Sequence, residues 1–273
     1  MKQTILPTVA VIGGKKSGKT SLMKGLIHRL RNQGYNVMSA KHVNVKGFTF
    51  DTKGTDTWWY SKSGANPVVC VSDSETTVIH KTRQTKFSLE ELKRHATEET
   101  DLLLLEGFSR WVMKDESVAK VITIRDISDL ERYERTTDQV LFICSYLPKI
   151  KGKGILDARK DIDVIVDHIL RFVKSEREVY SIYDKLPKLD CGKCGYGSCL
   201  EMARSIKKGK ASIDECITLR SRSELRSKVV IRGGEIPLQP FASEILRRGA
   251  LGMLSSLKGI NINGDEFVEI RVS

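Results

Sequence analysis

The chain has 273 residues, 40% of them hydrophobic and 29% charged, enough for a buried core in one large or two modest domains. It contains no apolar stretch near the ~18 residues that span a bilayer, so a membrane protein is not expected. Its net charge of +12 raises the question of nucleic acid, but the basic clusters come without an aromatic platform, recognition-helix motif or zinc-finger spacing. Those clusters are Lys149, Lys151 and Lys153; Arg204, Lys207, Lys208 and Lys210; and Arg220, Arg222, Arg226 and Lys228. They read as solvated surface or a docking face for an acidic partner, and no nucleic-acid partner is expected.

Thr8 to Ile12 is a short, mostly β-branched apolar run and predicts a buried strand. It leads into Gly13-Gly14-Lys15-Lys16-Ser17-Gly18-Lys19-Thr20, which fits G-x4-G-K-[ST], with Ser21 next in the chain. Glycines let the backbone amides of such a loop wrap a phosphate, Lys19 brings a mobile charge to the β and γ phosphates, and Thr20 offers its hydroxyl to Mg²⁺. Leu22, Met23, Leu26, Ile27 and Leu30 then recur at helical spacing, predicting a helix over 18–33 whose start faces the phosphates. The loop begins too near Met1 to leave room for a cleavable signal peptide, so a cytoplasmic location is expected.

Further strands are predicted near 35–40, 67–72, 76–80, 101–106, 119–124 and 139–144, and helices near 55–64, 88–98 and 161–173. Ser88-x-x-Glu91 is a capping box for the third helix. Alternating β and α elements indicate an α/β fold with a largely parallel sheet covered on both faces. The loop after the second strand carries Lys41, His42, Asp51 and Asp56, a plausible site, although His42 by itself is more often structural. Leu102 to Leu105 form an apolar strand ending in Glu106, the expected Walker B carboxylate for the Mg²⁺ shell or an attacking water; Asp101 merely starts that strand. Cys70 and Cys144 lie in apolar runs and read as inert core thiols.

The join between domains is expected near Ser175 to Tyr183, where charged residues accumulate. Beyond it, Cys191, Cys194, Cys199 and Cys216 follow C-x2-C-x4-C-x16-C. Three thiolates from one Gly-rich loop and a fourth one helix later suit an iron–sulfur cluster; zinc is the rival, although its structural sites usually take two short pairs. The segment 223–273 predicts a strand, a turn at Gly233-Gly234, a helix from Pro240 to Leu257 and a last strand over Glu266 to Val272, with no readable chemistry.

The phosphate loop, Lys41-His42, Asp51-x2-Gly54-x-Asp56-Thr57, Gly64-Ala65 and Leu105-Glu106-Gly107-Phe108 together resemble the molybdopterin-guanine dinucleotide biosynthesis protein B family over residues 5 to 175. The resemblance implies a three-layer P-loop domain over 1–175 that binds GTP and Mg²⁺. It also implies an accessory role, with weak hydrolysis, in attaching a guanine nucleotide to molybdopterin. Lys19, Thr20, Asp51, Asp56 and Glu106 match its motif positions, and the implied partners are the molybdenum cofactor guanylyltransferase and molybdo- or tungsto-enzyme apoproteins. The chain departs from the pattern at Val43-Asn44-Val45, where members carry further histidines, and at Ser109-Arg110, where they carry a Lys. An Asn-Lys-x-Asp guanine-reading run is absent, so GTP over ATP follows from the resemblance alone.

Residues 184–222 resemble the small 4Fe-4S domain of corrinoid iron–sulfur proteins through Leu186-Pro187 and Asp190 to Cys199, then Ala203, Gly209 and Cys216. Two other functions stay open beside the accessory GTPase: a nucleotide-driven iron–sulfur electron donor, and a non-catalytic scaffold that delivers cofactor. A homodimer is likewise open.

Overall fold

The structure, a computed structural model, describes residues 6–81, 87–134, 139–147, 149–150, 154–220, 226–264 and 266–273. Lys151, Lys153 and Arg222 of the basic clusters lie outside the described residues. The chain divides into two compact units, Met1–Phe172 and Val173–Ser273.

The first unit is built on a six-stranded sheet in the order β2-β5-β1-β6-β7-β8, all of its pairings parallel. The strands are β1 (Thr8–Gly13), β2 (Val37–Lys41), β5 (Leu102–Glu106), β6 (Val118–Thr123), β7 (Val140–Ser145) and β8 (Ile155–Asp157). Parallel strands are buried on both faces, which is why β1 and β5 read as continuous apolar runs and why every residue of β5 and β6 is buried. One face packs Ala10, Ile12, Leu103, Leu105, Val118 and Ile122 into a core with Phe108 and Tyr133. Helix α1 (Lys19–Asn32) buries Leu22, Met23, Leu26 and Leu30, at the spacing that predicted it.

Two strands depart from the expected sheet. Among the described residues β3 (Val68–Val71) and β4 (Thr76–Ile79) pair only with each other, antiparallel, as a hairpin following α2 (Asp56–Lys62). Cys70 is therefore exposed rather than a core thiol: among the described residues the cover on that face reaches Val68, which is buried, but not Cys70 two positions further on. Cys144, in β7 of the main sheet, is buried as expected, and burial pushes its thiol up to about 12. Helix α3 (Leu89–Lys93) is shorter than its pattern; Ser88 accepts from the Glu91 amide at its start. Two short helices, α4 (Ser109–Val112) and α5 (Ile127–Glu134), and strand β8 carry too few residues for a period to show in sequence.

Helix α6 (Ile162–Tyr183) is longer than the helix over 161–173 that its pattern predicts. In the second unit, α7 (Cys199–Lys207) is anchored by Arg204, whose Nη1 and Nη2 donate to Glu176 Oε1 and Oε2 at 2.8 and 2.7 Å. A bidentate fork of this kind fixes orientation as well as charge. Further on, β9 (Ser227–Ile231) pairs antiparallel with β10 (Gly234–Ile236) and parallel with β11 (Val268–Val272), and α9 (Pro240–Ser255) intervenes, with α8 (Ile217–Arg220) preceding them. Among the described residues no helix is long and apolar enough to cross a membrane.

Candidate functional sites

The loop from Gly13 to Gly18 joins the end of β1 to the start of α1. Gly18 has φ 92°, and a Cβ there would lie 2.3 Å from Tyr146 Cδ2, so both the backbone and the packing require glycine. No side chain caps α1 and its first turn holds no acidic residue, which leaves the early amides of the helix directed at whatever the loop encloses. Ser17 is buried and shares a 2.6 Å hydrogen bond with Thr123 Oγ1, tying the loop to the end of β6. Lys15, Lys16, Thr20 and Ser21 are exposed.

Lys19 folds over its own loop, donating from Nζ to Gly13 O at 3.0 Å and Gly14 O at 2.6 Å. Burial draws its pKa below the ordinary 10.5; the Glu106 carboxylate opposes that shift, and Lys41 and Arg125 reinforce it. Glu106 ends β5 and is buried, and its Oε1 accepts from Thr20 Oγ1 at 2.8 Å and from Lys41 Nζ at 2.9 Å. Lysine, hydroxyl and carboxylate thus meet where the strands of an open α/β sheet end, the place where such sheets bind ligands.

Asp51 and Asp56 form a separate arrangement. Asp51 Oδ1 accepts from Thr57 at 2.8 Å and from Thr55 at 3.2 Å, while its Oδ2 is buried with no partner among the described residues. Asp56 opens α2 in the first turn, and neither carboxylate hydrogen-bonds to the phosphate loop among the described residues. His42 stacks edge-on against Trp111 with centroids 4.6 Å apart, and its amide donates to Glu106 O at 2.9 Å: a structural histidine.

The second site is a cavity lined by Cys191, Cys194, Cys199 and Cys216, with Pro187, Lys193 and Tyr196 also on its wall. Gly192 and Gly195, at φ 68° and 86°, turn the chain so that Cys191 and Cys194 can face the same space. Cys199 begins α7, where Ser198 accepts from the Glu201 amide and the Cys199 amide donates to Asp190 Oδ1 at 2.6 Å. Cys216 follows a 3-10 turn, Ile213–Glu215, fixed by a capping box at Ser212. The Thr218 hydroxyl 3.5 Å from Cys191 Sγ, with the Lys193 amide, holds that thiol below its usual range; burial raises Cys199. Among the described residues no three His, Cys, Asp or Glu side chains are gathered as for a single ion. The donor set, four thiols and no carboxylate on one cavity, is of the soft kind that iron–sulfur and thiolate metal centres take.

Sequence reading missed the residues that reach these sites from afar. Thr123 is 106 residues from Ser17, and Tyr146 is far in sequence from Gly18; neither carries a local signature. Lys41 reads in sequence as one of a group on its loop and as half of the Lys41-His42 pair, with nothing to join it to Glu106.

A parallel sheet with a glycine loop between its central strand and a helix, and an acid ending the neighbouring strand, defines a P-loop α/β protein. The family model described as "Molybdopterin guanine dinucleotide synthesis protein B" matches residues 8–145, and the chain belongs to that family. A second model, described as "Putative Fe-S cluster", matches residues 186–218. The chain is 26% identical over 265 residues to a Methanocaldococcus jannaschii protein described as "Putative molybdopterin-guanine dinucleotide biosynthesis adapter protein", covering 97% of each. It is 27% identical over 177 residues to the "Molybdopterin-guanine dinucleotide biosynthesis adapter protein" of Escherichia coli, covering 64% of this chain and 97% of that one. Over 35 residues, 13% of this chain and 8% of the other, it is 51% identical to the "Corrinoid/iron-sulfur protein large subunit" of Moorella thermoacetica.

Proposed function

We propose that the chain is a GTP-binding adapter in the attachment of a guanine nucleotide to molybdopterin, and that it carries a 4Fe-4S cluster. The observation that carries the nucleotide half is the meeting of Lys19, Thr20 and Glu106 beneath uncapped helix amides. Lys19 would leave its loop carbonyls for the β and γ phosphates, exchanging neutral acceptors for charged ones. Thr20 and Glu106 would hold Mg²⁺, which offsets phosphate charge; Glu106 would also orient water for weak hydrolysis. Asp51, with one buried carboxylate oxygen unpartnered among the described residues, is a further acceptor for the same ligand, and Asp56 stands at the start of the helix that Thr55 caps.

Residues 1–175 serve as the nucleotide domain in this reading and 184–222 as the cluster domain, with 223–273 a separate module. The four cysteines would ligate the cluster, one thiolate to each iron, and the cluster would supply a docking or redox function. Partners are the guanylyltransferase that makes the dinucleotide and the apoenzymes that receive it. The names carried by the relatives that cover 97% and 64% of this chain support this role.

The test is guanylyl transfer to molybdopterin by the transferase with and without this chain. Stimulation that is lost with Lys19→Ala supports the adapter reading. Equal rates with and without the chain, under conditions where it binds GTP, count against it.

A further inference from the structure

The phosphate loop sits at the end of β1, so the nucleoside of a bound nucleotide must extend along the row of strand ends to one side or the other. On the side of β5 and β2 stand Glu106 and Lys41, linked to each other and to Thr20, the region suited to a metal ion. On the side of β6, β7 and β8 the surroundings differ in kind. Tyr146, immediately after β7, lays its ring against Gly18, the last residue before α1. Arg159, immediately beyond β8, places its guanidinium carbon 5.6 Å from the centroid of that ring.

Both residues are set by their strand ends. Ser145, at the end of β7, is buried and donates to Ile124 O at 2.9 Å, and its own carbonyl accepts from the Ala158 amide at 2.9 Å. Asp157 Oδ1 accepts from the Arg159 and Lys160 amides at 2.9 and 3.2 Å, fixing the backbone from which Arg159 projects. Arg159 is exposed, and among the described residues its guanidinium donates to no carbonyl or carboxylate. A planar fork over an aromatic ring, with its donors uncommitted among the described residues, suits two neighbouring acceptors lying in one plane.

We infer that Tyr146 and Arg159 form the base-reading wall of the nucleotide site, with the Arg159 fork donating to O6 and N7 of guanine. Guanine presents two acceptors along that edge, whereas adenine presents N7 and an amino donor that faces the fork unfavourably. This gives the chain a means of choosing guanine without the Asn-Lys-x-Asp run it lacks. The inference rests on the phosphate-loop reading proposed above, and it assigns to Arg159 a discrimination that the phosphate contacts cannot provide, because GTP and ATP share the same triphosphate.

Affinities for GTP, ITP and ATP, measured by calorimetry on the wild type, Arg159→Ala and Arg159→Lys, test it. ITP keeps O6 and N7 but lacks the 2-amino group, so wild-type protein should bind GTP and ITP alike and ATP about ten-fold or more weakly. Arg159→Ala should reduce GTP and ITP binding about ten-fold and leave ATP unchanged, and Arg159→Lys, which keeps the charge, should still lose most of the discrimination. Should Arg159→Ala fold poorly, by its melting curve, Arg159→Lys carries the comparison. A GTP to ATP ratio unchanged in both variants, or ITP bound as weakly as ATP, overturns the assignment while leaving the phosphate site intact. Failure of the wild type to bind any of the three overturns both.

Discussion

Lys41 and Glu106 are register partners across the parallel β2–β5 pairing, and their side chains meet with Nζ 2.9 Å from Oε1. The carboxylate is buried while the lysine side chain is half exposed, so the pair holds Glu106 at the strand end without sealing it from a ligand. Solvent screening keeps the energy of such a contact small, and its consequence is positional.

Glu106→Gln retains an oxygen that can accept from Thr20 and Lys41 but gives up the charge that holds Mg²⁺ or polarises water. Hydrolysis should slow about 100-fold with GTP affinity changed only a few-fold, as read by single-turnover rates beside a binding titration. Equal losses in both would remove Glu106 from a hydrolytic role.

Lys19 titrates below 10.5 in the folded protein because burial penalises its charge. In the alkaline window between its lowered pKa and 10.5 the unfolded chain binds more protons than the folded one, so this group's contribution to stability rises with pH there and is flat below. A triphosphate favours the ammonium form, so nucleotide binding in that window should take up a proton. Calorimetric binding enthalpies in buffers of differing ionisation heat should diverge for the wild type and coincide for Lys19→Met, which should also weaken binding about 100-fold or more.

Cys199→Ser and Cys216→Ser should lower iron and acid-labile sulfide in anaerobically purified protein from about four of each per chain, whereas Cys70→Ser and Cys144→Ser should not. GTP affinity should be unaffected by all four. One zinc and no sulfide in iron-replete protein would replace the cluster with a zinc site.

Gly25 lies inside α1, where alanine ordinarily stabilises by about 0.5–1 kcal/mol. A Cβ there would stand 2.5 Å from Ile162 Cδ1, the end of a buried side chain on α6. Gly25→Ala alone should therefore gain nothing or destabilise, and the same change in an Ile162→Val background, which removes that methyl, should stabilise. Denaturant unfolding of the four proteins gives the coupling; additive effects would mean that the contact does not constrain the helices.

The local features of the nucleotide site are readable in the chain because each is contiguous: a β-branched run, a glycine loop and a 3.6-residue apolar period are properties of neighbours in sequence. The expectation failed where burial depends on a remote partner. Cys70 has an apolar context like that of Cys144, yet the strand of Cys144 lies in the six-stranded sheet, while that of Cys70 lies in a two-stranded hairpin whose cover stops at Val68. Local apolarity reports that a strand can be buried, while sheet order decides whether it is.

The phosphate loop, the acid-terminated strand and the spacing of the four cysteines are legible in the chain, since these depend on backbone reach and residue chemistry within short segments. It took the packed fold to show that Lys41 clasps Glu106, that Ser17 leans on Thr123, and that Tyr146 lies against Gly18 with Arg159 over its ring. Those contacts join residues tens to more than a hundred positions apart, and what brings them together is the order β2-β5-β1-β6-β7-β8, which sets strand ends remote in sequence side by side.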